Sequence, residues 1–169
     1  MEIRKAAPED IKDIMPIFDA AKSFMRKSGN MHQWINGYPS EKQIMNDIES
    51  GRFYIISDNG ETAGCFCFFT GREPNYDYIF DGKWPDDNPY GTIHRLASNG
   101  KRKGIADCCI EWCSRQCQRL RADTHADNKT MTKRLIRNGF EYCGKIYVED
   151  GSERNAYQKV CRPESPPSQ

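Results

Sequence analysis

The stretch LASNGKRKGIADCCIEWCSRQC, residues Leu96–Cys117, decides the fold. An apolar run ends at Ser98, the chain breaks at Asn99-Gly100, three cations follow, and Gly104 leads into a helical pattern. Ala106, Cys109, Ile110, Cys113 and Cys117 fall on one face of that helix. Asp107, Glu111, Arg115 and Arg119 recur every four residues beside it, with acids near the start and arginines near the end, as the helix dipole prefers. The spacing predicts a helix over roughly 104–120. Strand, glycine turn, helix is the geometry of an anion site, because the first amides of a helix have no partner within it and point outward. Gly104 has no Cβ to hold a ligand off, and Ala106 is small. Lys101, Arg102 and Lys103 either add attraction for a polyanion or form a solvated turn. The Walker and dinucleotide glycine patterns are both absent.

The remaining composition narrows the function. A chain of 169 residues fits one domain with a sizeable core. Its 25 Lys and Arg stand against 24 Asp and Glu, a net charge of +1, which argues against a nucleic-acid partner. No apolar run approaches the roughly 20 residues that span a bilayer, so no membrane role is expected. MEIRKAAPEDIKDIM lacks the apolar core of a secretory signal, and the chain reads as cytoplasmic. The eight cysteines lack the paired knuckle spacing of a zinc site. They read as small buried hydrophobes rather than disulfides, and no metal is expected.

Around the opening stretch the elements alternate. MEIRKA reads as a strand. Pro8, Glu9 and Asp10 start a helix in which Pro16 predicts a kink or an early break. NMHQWINGYPS is a polar, aromatic loop, and Ser40 caps a second helix that ends before Gly51. RFYIISDNGETAGCFCFFTG is a hairpin turning at Asp58-Asn59-Gly60. Residues 71–90 show no period, and a loop of that length is often functional. GTIHRLAS and LRADTH are strands on either side of the central helix. ADNKTMTKRLIRNGF is a helix ended by Asn138-Gly139, and a hairpin closes the chain. Residues 1–161 form a single domain, and 162–169 read as a disordered tail. The order predicts an α+β fold, a mixed sheet with about four helices on its faces.

RLASNGKRKGIA resembles the acetyl-CoA motif of the GNAT family of N-acetyltransferases, Gln/Arg-x-x-Gly-x-Gly/Ala, with Lys101 at the first position and Gly104 and Ala106 matching. ADNKTMTKRLIRNGFEYCG resembles the family's second motif, an Asn-containing helix ending in Gly-Phe, through Asn128, Gly139 and Phe140. The resemblance covers nearly the whole chain. It implies a mostly antiparallel sheet with two splayed strands, IHRLAS and LRADTH, between which the pantetheine arm of acetyl-CoA inserts. Backbone groups of Leu96, Ala97 and Ser98 would meet that arm. Lys101, Arg102, Lys103, Gly104, Ile105 and Ala106 would hold the pyrophosphate, Asn128 would touch the pantetheine, and Lys133 would reach a phosphate or simply face solvent.

The resemblance also implies direct transfer of acetyl from a thioester to an amine. That needs a neutral amine, donors for the oxyanion and a proton for the leaving thiolate. The family's usual acid is a tyrosine four residues before the glycine of Gly-Phe, and Leu135 stands there. His94 is the leading base, because it sits two residues before Leu96 and histidine titrates near neutrality. His125 is the second candidate, and Tyr147 is a candidate donor across the cleft. Each of the three also fits a purely structural role. Trp34, Tyr76, Tyr78 and Phe80 form a candidate substrate wall, with Asp77 or Asp81 as an ammonium partner, or else the aromatics cap their own core. The expected partner is a small-molecule or peptide amine, and the expected state a monomer or homodimer. Leu135 keeps a second reading in view, a non-catalytic acyl-CoA-binding module.

Overall fold

The computed structural model describes residues 1–161, so the tail at 162–169 lies outside the described residues. Seven strands form one sheet: β1 (Glu2–Lys5), β2 (Phe53–Asp58), β3 (Glu61–Thr70), β4 (Gly91–Ser98), β5 (Arg119–Thr124), β6 (Glu141–Tyr147) and β7 (Glu153–Val160). Their order is β1-β2-β3-β4-β5-β7-β6, and every pairing is antiparallel except β4 with β5. Four helices cover it: α1 (Ile11–Lys27), α2 (Glu41–Glu49), α3 (Ile105–Ser114) and α4 (Lys129–Arg137). This is the expected α+β architecture.

β3 is buried along most of its length because it is central, and its alternation divides two cores. Cys65 and Cys67 face Ile14, Phe18, Ile44 and Ile48 of α1 and α2. Ala63, Phe66 and Phe68 face Ile105, Cys109, Ile110 and Cys113 of α3. The cysteines are free and act as small packing groups. Burial pushes the Cys67 thiol up to about 12 and the Cys117 thiol to about 11, so both stay protonated near neutrality. The β2–β3 turn has positive φ at Asn59 (50°) and Gly60 (79°), as a two-residue hairpin loop requires.

Two helices differ from expectation. α1 runs through Pro16 without a break. Its start is a 3-10 turn at Pro8–Asp10, tied down by Asp10, which accepts from the Ala7 amide at 2.7 Å and takes Arg4 bidentately. α3 stops at Ser114, well short of residue 120. Cys117 therefore lies beyond the helix, where its thiol donates to the Arg119 carbonyl at 3.1 Å, and Arg119 opens β5 and pairs with Asp86 at 2.9 Å. The helical spacing of those two residues was outweighed by the alternation of RLRADT, which must enter the sheet. The predicted Glu111–Arg115 pair forms at 2.6 Å.

The loop at 71–90 is strapped down. Tyr76 is fully buried and donates to Asp123 at 2.7 Å. The Arg121 guanidinium is sandwiched 4.0 Å from both the Trp84 and the Tyr90 rings. Phe80 bridges to Lys145 of β6. Gly82 permits this seat: its φ is 154°, and a Cβ there would lie 2.0 Å from the Cys143 carbonyl oxygen. Gly82→Ala is expected to cost about 2 kcal/mol or more, since backbone cannot yield as a side-chain tip does. Urea unfolding checks this, and an unchanged midpoint contradicts it.

Candidate active site

β4 and β5 pair only at Gly91↔Leu120 and Thr92↔Arg121, and beyond those residues they diverge. β5 continues to pair with β7 as far as Thr124↔Asn155, so β4 leaves it. On its other side β4 carries a bulge, with Cys67 opposite His94 and Cys65 opposite Ala97, so that Arg95 and Leu96 share one partner position. Arg95 has a φ of 51°, uncommon for a residue with a side chain. It is fixed there by Asp47, which accepts from Nε at 2.7 Å, and by the Tyr38 hydroxyl, which accepts from Nη1 at 2.8 Å.

A cavity of about 470 Å³ occupies the gap. His94, Arg95 and Leu96 line one side, Ala122, Asp123 and Thr124 the other, with Leu135 of α4, Trp34 and Glu73 among the remaining wall. His94 Nε2 lies 2.9 Å from Glu73 Oε2, and Nδ1 lies 3.7 Å from Asp123 Oδ2. With Nε2–H donating to Glu73, Nδ1 is left as the acceptor nitrogen, on the side of Asp123. Burial works to raise the Glu73 carboxyl, but the hydrogen bond and charge of His94 and the Asn75 amide outweigh it and hold the group below its ordinary range. Tyr76 keeps its proton, because burial and then the neighbouring Asp123 push it well above a normal phenol, and it holds Asp123 in place.

The other sequence candidates are distributed unevenly. Trp34 is on the wall, edge-on to Phe18 at 5.4 Å, in a loop whose carbonyls at Asn30, Gln33 and Trp34 all accept from Arg26. Tyr76 is a core residue off the cavity wall that touches the site through its bond to Asp123 and through its ring, 5.9 Å from the His94 ring. Tyr78 and Tyr147 stack with Phe80 in an exposed group outside the cavity wall. Asp77 pairs with Arg72, and Asp81 lies 4.0 Å from Lys145. His125 is also off the wall: its Nδ1 accepts from the Asp127 amide at 3.0 Å, and burial, then the Arg154 charge, hold its pKa down.

At the end of β4 the chain turns on side-chain oxygens, Ser98 accepting from Gly100 N–H at 3.1 Å and Asn99 from Lys101 N–H at 3.0 Å. Gly104 caps α3 with a left-handed φ of 84°. Ile105 is buried against the core, and Ala106 is half-buried. The first backbone bond into the helix comes from Cys108 to the Gly104 carbonyl, so helical geometry leaves the amides of Ile105, Ala106 and Asp107 without i−4 partners. Lys101 and Lys103 are exposed, while Arg102 pairs with Asp58. Asn128 caps α4 through Oδ1, which accepts from Met131 N–H at 3.0 Å, and donates to Gln33 at 3.0 Å. Lys133 shares a shallow recess with Arg134 and Arg137, which both face Asp107 of α3.

Sequence reasoning missed Glu73, Asp123, Asp47, Arg95 and Arg154. A lone acid in the alternating strand LRADTH marks Asp123. Glu73 and Asp47 carry no local signal, because fold contacts alone bring them to β4.

The chain closely matches solved structures. An acetyltransferase of the GNAT family from Streptococcus agalactiae 2603 shares 33% identity over 96% of both chains, with a TM-score of 0.87. A GNAT family acetyltransferase from Listeria monocytogenes 4b F2365 shares 20% over 94% of both, with a TM-score of 0.63. A ribosomal-protein-alanine N-acetyltransferase from Brucella melitensis shares 18% over 95% of this chain and 99% of its own, with a TM-score of 0.57. No family model and no curated protein matches. A splayed α+β sheet enclosing a cleft of this kind is the acetyltransferase architecture. The chain belongs to the GNAT family. Among the described residues no helix is long and apolar enough to cross a membrane.

Proposed function

We propose that the protein is an acetyl-CoA-dependent N-acetyltransferase that moves acetyl directly to a primary amine of a small molecule, amino acid or peptide N-terminus. The observation that carries this reading is the cavity in the β4–β5 gap with His94, Glu73 and Asp123 on its wall. The residues suit the co-substrate: the left-handed Gly104 turn exposes amides for a pyrophosphate, Lys101 and Lys103 are exposed beside it, and the diverging edges of β4 and β5 leave backbone groups for an extended arm. Acetyl-CoA supplies an activated thioester. Asp123 and Glu73 attract the ammonium, His94 Nδ1 takes its proton, and Glu73 holds Nε2–H so that the ring presents the correct nitrogen. Water protonates the leaving thiolate, since Leu135 is a buried aliphatic on the wall.

Acetyl-CoA at a hundred times its Kd should stabilise the fold by about 2.7 kcal/mol, which at roughly 2–4 °C per kcal/mol raises Tm by roughly 5–10 °C. Gly104→Val should shrink the shift. No shift at all contradicts the proposal. Leu135 favours a second reading, a non-catalytic acyl-CoA-binding module. A thermal shift without thiol release across a broad amine panel would select it.

A further inference from the structure

Three arginines line the cavity, and they are not equivalent. Arg52 is exposed and lies over the Phe69 ring at 4.7 Å. Arg95 is committed to Asp47 and Tyr38. Arg154, on β7, is only 7% exposed, and the hydrogen bonds it makes run from Nη1, to the Ser152 hydroxyl at 2.8 Å and the Glu153 carbonyl at 2.9 Å. Among the described residues no carboxylate pairs with it. Asp150 is bridged to it by the Ser152 hydroxyl, which donates to Asp150 at 2.5 Å, and the Arg154 charge adds to the Ser152 hydrogen bonds that hold the Asp150 carboxyl below its ordinary range. A buried guanidinium with no carboxylate bonded to it directly is costly, and its remaining donors form a planar fork suited to a carboxylate.

Its place on the sheet sets it beside the acidic end of the cavity. Asp123 pairs with Ala156 across β5 and β7, and Arg154 lies two residues from Ala156 on the same face. Asp123 and Arg154 are thus diagonal neighbours, with backbones roughly 7–8 Å apart. Asp123, with Glu73 and His94, is the end that suits an ammonium.

We infer that the acceptor is a small amino acid, whose carboxylate is held by Arg154 while its amine faces Asp123 and His94. This rests on the N-acetyltransferase reading. The test is a matched panel: common L-amino acids and β-alanine, each beside its carboxamide, incubated with acetyl-CoA and scored for thiol release. The best acids should exceed their amides in kcat/KM by about 30-fold or more, the scale set by a lost buried charge contact. Arg154→Gln should remove that preference, mainly through KM, and Arg154→Lys should restore part of it. Equal rates for acids and amides in the wild-type protein overturn the inference whether or not the variants fold. So does an Arg154→Gln protein that loses both substrate types equally. Thiol release from amides alone keeps acetyl transfer and removes the amino-acid assignment. No release from any amine sinks acetyl transfer itself, and this assignment with it.

Discussion

Asp47→Ala is expected to cost about 3–5 kcal/mol of stability, the range for removing one partner of a buried ion pair. Asp47 is 6% exposed and accepts from Arg95 Nε at 2.7 Å and from Gln43 at 3.2 Å. Without it the Arg95 charge stays buried at a residue already held at positive φ. The contrast with Arg4–Asp10 sets the scale. That pair is bidentate, but Arg4 is more than half exposed, and such surface pairs contribute at most about 1 kcal/mol. Urea unfolding of Asp47→Ala beside Asp10→Ala separates the two cases. The double variant Asp47→Ala/Arg95→Met should recover much of the loss, because no charge is then stranded. An Asp47→Ala protein within about 1 kcal/mol of wild type removes the claim that this pair pins the bulge.

The reach of the sequence can be judged from the same residues. The elements were legible because their signals are local: Ser40 caps α2 as expected, accepting from Gln43 N–H at 3.1 Å, and the Asn59-Gly60 turn and the Asn138-Gly139 stop are where the chain demands them. The glycine turn before α3 was legible for the same reason, since Gly104 has to adopt a conformation that other residues resist. The bulge at Arg95 was not. It is imposed by α2 from a distance of 48 residues, through Asp47. The loop at 71–90 looked aperiodic because its order is tertiary, built on Arg121 between two rings and on Tyr76 beneath Asp123. Its aromatics therefore belong mostly to the core or to the outer surface. Its contribution to the cavity comes instead from Glu73 and Asn75. α3 was overextended because helical spacing at Cys117 and Arg119 says nothing about the sheet that claims those residues.

His94→Ala is expected to lower kcat/KM by about 10²–10⁴, the range for a positioned general base. Geometry is the reason. The ring is fixed on one side by Glu73 at 2.9 Å and flanked on the other by Asp123 at 3.7 Å, so Nδ1 has a defined place beside Asp123 on the cavity wall. Glu73→Gln should lose less, because a glutamine oxygen still accepts from Nε2–H while the compensating charge is gone. Glu73→Gln/His94→Ala should fall below His94→Ala by less than the full Glu73→Gln loss, since Glu73 acts partly through the ring and partly on the ammonium. His125→Ala serves as the control, because that ring is off the cavity wall and bonded to its own turn. The pH profile separates a base from a structural histidine. The pH dependence of kcat/KM should differ between the wild type and His94→Ala. A His94→Ala enzyme that melts like wild type and stays within about threefold of its activity at every pH leaves His94 without a base role. Asp123 and Glu73 are then the acceptors left beside the ring position, and Asp123→Asn and Glu73→Gln become the decisive variants.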